Sequence, residues 1–538
     1  MKRKRLRKPL PMFLAAGTAA ALLLSACSNS QPKESDNKAG ENKKPEITVM
    51  AFDYGNVPKE EGTMEKNRWV DWINQNAPVH VKFVSIPRTE SAQKLNILFA
   101  SGSAPDLIID YDKNLLNSLY TQNQLLPLDD LIKKDSPYYQ SVLQKYPTLA
   151  KLGKQNDGKI YKIGKVNGTD ANVGMYIRAD WLKKLNLGMP KTPEELLNVA
   201  KAFAEQDPDG NGKKDTYGVA LSSFGNLIDY MFQNVDWVLD NGELTHDWQR
   251  AKAAADYKKK LFDAGVTDKD FLVDTNGKKA EQDWMKGKLG IWSATIRLSS
   301  FQDFKKNNPD GEVAILPMPA TQYGHFSPEA TSPFAVNGVI NRNAKDPDAV
   351  MKYLDWVLNP ANSTTLKYGL EGVHWKKGPS GCPMPIDKDK SAKEVSYTQG
   401  YWVLHTKFAE GKCGTVEGPL DTSDPVQKDF LELYKAAKKE YVTPERPMPY
   451  VIDNSNSPAL PPELLTIQTN AMKAVQDLWN KAIVSGSTYT TEQSLKEAQD
   501  LWKKSGGDKV DEWMKKYYAD NKQNIVTTKE WYTTVVEQ

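Results

Sequence analysis

From Glu46 onward the chain alternates between β-rich and helical stretches, and this order constrains the fold more than any other feature. Ile47 to Phe52 is built of strand formers. Asn67 to Asn76 puts Trp69, Val70 and Ile73 on one side of a helix, and Val79 to Ile86 reads as strand again. Thr89 to Ser101 is helical, with Leu95, Leu98 and Phe99 at helix spacing, and Leu107-Ile108-Ile109 is an apolar run of the kind buried on both faces. Parallel strands need crossover helices, so the order predicts an open, largely parallel α/β sheet. In such sheets ligands bind beyond the carboxyl ends of the strands, here Asp53-Tyr54-Gly55 and Asp110-Tyr111-Asp112.

A second αβ region follows. Thr192 is a natural N-cap, Pro193 suits the first helical position and Glu195 completes a capping box. Val219 to Leu221, Leu289 to Trp292 and Val313 to Leu316 are its expected strands. The end of the chain is helical, with Val475, Leu478, Trp479 and Ala482 forming one stripe and Leu495, Ala498, Leu501 and Trp502 another. Stripes of this kind are core faces and carry no functional reading. At 538 residues, 39% hydrophobic and 26% charged, the chain is long enough for two to four folding units and too ordinary in composition for a disordered or polytopic membrane protein.

The formal net charge of +3 hints at nucleic acid, but its origin removes the hint. Six cations lie in residues 1–26 (Lys2, Arg3, Lys4, Arg5, Arg7 and Lys8) without one acid, followed by an uncharged stretch from Leu10 to Ala26. That is the pattern of a secretory signal. Leu24-Ser25-Ala26-Cys27 resembles the lipobox of bacterial lipoproteins, which implies cleavage before Cys27 and its acylation, and stable anchoring by more than one chain. Without residues 1–26 the net charge is −3, since six positive charges leave. Residues 27–45 contain no large apolar side chain and read as a flexible tether. The expected location is the outer face of a bacterial cytoplasmic membrane, with no nucleic-acid partner.

Cys382 and Cys413 remain after Cys27, 31 positions apart in an exported chain, and form either a disulfide or two unrelated buried thiols. The five His never stand at i, i+4 spacing, so a helical metal site is not signalled. Asp207-Pro208-Asp209-Gly210-Asn211-Gly212-Lys213-Lys214-Asp215 matches the first nine positions of an EF-hand loop: Asp207, Asp209, Asn211 and Asp215 supply side-chain oxygens, Lys213 a carbonyl, and Gly212 the sharp turn. Position twelve is Gly218 instead of the usual Glu. The alternative is an Asp/Gly/Asn-rich turn without metal.

Several segments resemble family 1 extracellular solute-binding proteins of ABC importers: Ala100 to Ile108, Leu125 to Ile132, Tyr176 to Leu185, Asp283 to Trp292, and Lys345 to Trp356. The likeness runs from about 46 to 375. Tyr368 to Trp375, together with the Asp207 loop, is similar to the long, calcium-containing branch that includes alginate-oligosaccharide binders and many lipoproteins of Gram-positive bacteria. In that branch the loop holds a structural calcium and an acidic ligand follows position nine; here that residue is Thr216.

The resemblance implies an α/β, two-lobed, periplasmic-binding-protein-like (type II) fold with interlobe hinge strands, a helical C-terminal part and a solute in the cleft. It divides the chain into lobe 1 at 46–169 and 333–385, and lobe 2 at 170–332 and 386–538. It implies a monomer that is not an enzyme and that delivers solute to a permease served by a separate ATPase. The chain itself carries no Gly-x-x-x-x-Gly-Lys-Ser/Thr loop. Sugar binders stack aromatic rings on C–H faces and ring them with polar groups. On that basis Tyr54, Tyr111, Trp292 and Trp375 are candidate platforms, and Asp112, Arg178, Arg297 and Glu371 candidate hydrogen-bonding groups, against core packing for the aromatics and surface ion pairs for the polar four. If both Arg178 and Arg297 face the cleft, an acidic sugar is expected. A binder of peptides or other polar solutes, a secreted glycoside hydrolase and a surface adhesion lipoprotein are the alternatives.

Overall fold

The expected alternation forms a sheet whose helices are started by side chains. Strand β1 (Glu46–Asp53) runs parallel to β2 (His80–Pro87) in unbroken register, Glu46 against His80 through Asp53 against Pro87, and parallel to β3 (Leu107–Asp110) at Val49 and Leu107. Asn67 Oδ1 accepts from the N–H groups of Trp69 and Val70 (2.9 and 3.2 Å) to open the helix Arg68–Asn76. Asp112 does the same for the helix Lys113–Thr121, accepting from Asn114 and Leu115.

The computed structural model describes residues 44–538 except 167–170, 172, 329–333, 379–380, 406–412, 414–415, 417–419, 453–457, 529 and 531–538. Cys27 and the expected signal and tether lie outside these residues. After β4 (Ile163–Val166) the chain passes to a second sheet, which contains β5 (Val173–Arg178) and β6 (Tyr217–Val219). A hairpin of β7 (Val238–Asp240) and β8 (Glu243–Thr245) intervenes before β9 (Leu289–Thr295) and β10 (Val313–Ile315) complete that sheet in the order β10-β5-β9-β6. Strand β11 (Phe334–Ile340) then returns and lies antiparallel between β3 and β4, giving the first sheet the order β2-β1-β3-β11-β4. A small hairpin follows, β12 (Trp375–Lys377) with β13 (Pro383–Pro385). Each sheet has its own core, and the expectation of two αβ lobes with strands leading between them holds.

The sequence-based return to lobe 2 at residue 386 comes too early. Val395, Tyr397, Tyr401, Val403 and Leu404 are buried in the first lobe's core. Tyr401 explains why: its hydroxyl donates to Met64 O (2.7 Å) and accepts from Asn67 Nδ2 (2.7 Å), pinning the later segment beneath the start of the Arg68–Asn76 helix. The chain joins the second lobe's core by the helix Pro425–Tyr441, through Phe430, Leu433, Tyr434, Ala437 and Tyr441. Cys382 and Cys413 are joined in a disulfide, with Cα atoms 5.3 Å apart, across this passage.

The last three helices, Pro462–Val484, Thr491–Lys504 and Gly507–Asn521, bury the expected stripes. Val475, Trp479, Leu495 and Ala498 pack with Ala255 of the second-lobe helix Trp248–Asp263. Among the described residues no helix is long and apolar enough to cross a membrane.

Candidate ligand-binding cleft

The carboxyl ends of β1 and β3 present polar groups that are only partly satisfied: Asp53 Oδ1 accepts from the Gly55 N–H, while the Tyr54 hydroxyl and Asp110 Oδ2 are buried with no hydrogen-bond partner among the described residues. Asp110 is buried, accepts from the Asp112 N–H at 2.8 Å, and is pushed up by burial. The Tyr111 ring packs 5.6 Å from Phe52, with the Arg88 guanidinium 4.7 Å over its face. Burial also raises the Tyr54 and Tyr111 hydroxyls. From Asp112 the Lys113–Thr121 helix begins, packed on the first lobe through Leu115, Leu116 and Leu119.

A cavity of 580 Å³ lies between that helix and the second lobe, within the range of roughly 300–1,000 Å³ usual for small-molecule sites. The first lobe contributes Lys113, Asn114, Asn117, Ser118 and Thr121. The second contributes Tyr230 and the loop Asn234 to Trp237, and the C-terminal part supplies Tyr450 to Ile452, Leu465, Gln468 and Met514. Tyr230 and Tyr450 meet edge-on, centroids 5.4 Å apart, and their hydroxyls are hydrogen-bonded. Asp236 opens onto the cavity yet has protein on most sides; that enclosure pushes its carboxyl up, against the pull of His246 and Lys113. Among the described lining residues, amides, hydroxyls, indole and phenol rings, one cation and one carboxylate thus converge on a single space. Such a set binds a polar, non-ionic or weakly ionic solute with some C–H surface.

None of the eight sequence-derived candidates lines this cavity. Trp292 is 4% exposed, and its ring lies in a three-ring cluster with Tyr176 (5.7 Å) and Trp284 (5.5 Å), which are themselves 6.2 Å apart, so burial leaves no open face for a sugar. It is a core residue of the second lobe. Arg178 is also buried: its Nε and Nη2 bond the Asp180 carboxylate at 2.9 and 2.5 Å, and its guanidinium lies 4.4 Å over Trp181. It stands at the far end of β5, opposite Val313, while the end nearest the interlobe passage is Val173, opposite Thr295. Both residues lose their expected cleft roles for the same reason, which is that the second sheet is covered on both faces. Asp112 is exposed but engaged in its helix cap. Arg297 is exposed just beyond β9, at the passage end of the second sheet. Glu371 is exposed and bridges to Trp375, whose Nε1 donates to Gly369 O at 2.9 Å. The cavity residues that sequence reasoning missed have one faint signal, the polar run Gln233-Asn234-Val235-Asp236-Trp237 between a helix and a hairpin.

The Asp207 loop sits apart from the cavity. Gly212 takes φ +75°, as the sharp turn requires, and its N–H donates to Asp207 Oδ2 at 3.0 Å. Asn211 Nδ2 reaches Asp209 Oδ2 (2.7 Å) and Asp215 Oδ1 (3.1 Å), while Lys288 Nζ pairs with Asp215 Oδ2 at 3.1 Å. Partial burial, followed by its hydrogen bond with Asp207 and the charges of Asp207 and Asp215, pushes Asp209 up. Thr216 is turned inward, its hydroxyl donating to Phe203 O. Gly218 cannot be a Glu, because a Cβ there would stand 2.5 Å from the Ala200 backbone. Among the described residues no group of three or more His, Cys, Asp or Glu forms a ready-made metal site, so any cation here relies on Asn211 and backbone oxygens as well.

The family model described as bacterial extracellular solute-binding protein matches residues 71–364, more than half of the chain. The chain belongs to this family. Over 526 residues this solute-binding protein is 25% identical to the polygalacturonan/rhamnogalacturonan-binding protein YtcQ of Bacillus subtilis, covering 91% of this chain and 94% of that one. It is 25% identical over 537 residues to lipoprotein LipO of the same organism, covering 94% and 97%. In fold it is similar to the substrate-binding protein FusA of Streptococcus pneumoniae, solved with kestose, with a TM-score of 0.62 at 19% identity over 89% of this chain and all (100%) of that one.

Proposed function

We propose that this solute-binding protein captures an oligosaccharide in the interlobe cavity and delivers it to the permease of an ABC importer. The carrying observation is the cavity itself, lined from both lobes by amides, hydroxyls and aromatic rings. Support comes from relatives named for binding: YtcQ for polygalacturonan and rhamnogalacturonan, and FusA, an ABC transporter substrate-binding protein, for fructooligosaccharide. Both are named as binding proteins and neither as an enzyme. An acidic sugar keeps support from Lys113 and from the YtcQ name, but not from Arg178, which is committed to Asp180. Isothermal calorimetry and product analysis with kestose and with trigalacturonate test the reading. Binding of either without product supports it, whereas no binding, or release of cleaved sugar, sinks it.

Two further roles belong to the same reading. Cys27 carries the lipid anchor, consistent with the name of LipO; loss of acyl labelling in Cys27→Ser checks this. The Asp207 loop holds a structural calcium through Asp207, Asp209, Asn211, Asp215 and the Lys213 carbonyl, and the ion would supply charge neutralisation for the loop's acids. A chelator that leaves the melting temperature unchanged overturns that role.

A further inference from the structure

Trp237 is half-buried and is the cavity's one tryptophan among the described lining residues. An indole on a loop has two free torsions, so its value as a binding wall depends on what locks it. The base of the loop is held within the second lobe, where Asn234 Nδ2 donates to Asp229 Oδ1 at 2.8 Å and Arg250 Nη1 to Gln233 Oε1 at 2.7 Å. Its tip is held from elsewhere. Gln468, on the Pro462–Val484 helix, donates to Asp236 Oδ2 at 3.2 Å, and Trp237 Nε1 donates to Asp511 Oδ1 at 3.1 Å on the Gly507–Asn521 helix.

Asp511 is a collecting point. Its Oδ2 accepts from Trp502 Nε1 at 2.8 Å, and its Oδ1 also faces His246 Nδ1 at 3.3 Å. The His246 ring is stacked 4.2 Å from Trp248 and meets Trp502 edge-on at 5.0 Å, so the carboxylate is fixed by three N–H groups in a rigid aromatic surround. One turn along the same helix, Met514 reaches the cavity wall directly. Both residues lie outside the 71–364 segment that defines the family.

We propose that Asp511 is a positioning residue for ligand binding: by holding the Trp237 indole N–H, it sets the orientation of the aromatic wall against which the sugar packs. The proposal rests on the oligosaccharide reading of the cavity. It also gives the C-terminal helices a role in specificity, since they hydrogen-bond two adjacent residues at the loop's tip, where His246 adds a ring contact to Trp237 at 6.2 Å. Burial alone would raise the Asp511 carboxyl, but the bonds from His246, Trp502 and Trp237 bring it below its ordinary value, which keeps the acceptor charged.

The test uses the mature chain, with kestose and trigalacturonate as probes. Wild type is compared with Trp237→Ala, Asp511→Ala and Asp511→Asn, the last keeping the shape while offering one acceptor to three donors. Ile483→Ala, which truncates a buried side chain that is not among those lining the cavity, controls for lost stability. The expected result is binding weakened about tenfold or more in Trp237→Ala and about fivefold in the Asp511 variants. The Trp237 indole N–H resonance shifts in both Asp511 variants, whereas Ile483→Ala lowers the melting temperature without changing affinity. Wild-type affinity in Asp511→Ala, or an unmoved Trp237 resonance, overturns the proposal while leaving the cavity reading intact. If wild type binds neither probe, the cavity reading falls and the proposal with it.

Discussion

Trp292 and Trp237 belong to the same lobe and serve opposite ends. Trp292 is buried on all sides in a cluster with Tyr176 and Trp284, and Trp284 in turn stacks on Phe304 at 4.9 Å. Trp237 has one side on a cavity and its indole N–H on a carboxylate. A ring with both faces covered has its area available only for stability. A ring with one face open and its polar edge tied down is rigid, and still has surface left for a ligand. Residue type is the same in both; the number of covered faces decides the role.

The largest effect that tests this contrast is expected in Trp292→Ala, which should lose about 3–5 kcal/mol of unfolding free energy in urea titration, with unchanged sugar affinity in the folded fraction. Weakened affinity with intact stability would reverse the assignment. Next comes Gly218→Ala, at about 3 kcal/mol, because overpacking here meets backbone and not a movable side chain. The added Cβ would lie 2.5 Å from Ala200 Cα and O, so tolerance within measurement error would mean that this core is less closed than described.

The smallest effect is electrostatic and separates the two regions by pH. Asp511 is held below the ordinary value of 3.8 when folded, so the unfolded chain takes up its proton first as pH falls. Its contribution is therefore fully present above 3.8 and is lost as pH drops through the lower, folded value. The stability gap between wild type and Asp511→Asn should shrink through that acid range, while the gap for Trp292→Ala stays flat. A gap that widens on acidification would contradict the hydrogen-bond account of Asp511.

The first lobe was legible because its strands and helices alternate over one stretch of chain, each packing on its neighbours. β1, β2 and β3 lie within two residues of their expected bounds. Thr192 caps the helix Pro193–Glu205 as expected, accepting from the Glu195 N–H, although the Glu195 carboxylate reaches back to the N–H of Lys191 and not of Thr192. The cavity was not legible. Leu289 to Trp292 reads as a continuous buried run, and such a run gives no alternation from which to tell a core tryptophan from a cleft one. Trp237 lies beyond no strand end, and its partner is 274 positions away. Cys382 and Cys413 stood open between two readings until their Cα atoms were placed 5.3 Å apart.

Local pattern, then, was enough for the class of fold, the family and the helix caps, because periodicity and capping depend on residues a few positions apart. The strand β11 returning between β3 and β4, the late departure of the chain from the first lobe after Leu404, and the wall of the cavity were decided only by tertiary structure. Each of these depends on which side chains exclude water from a shared surface. That is a property of neighbours in space, which spacing along the chain does not record.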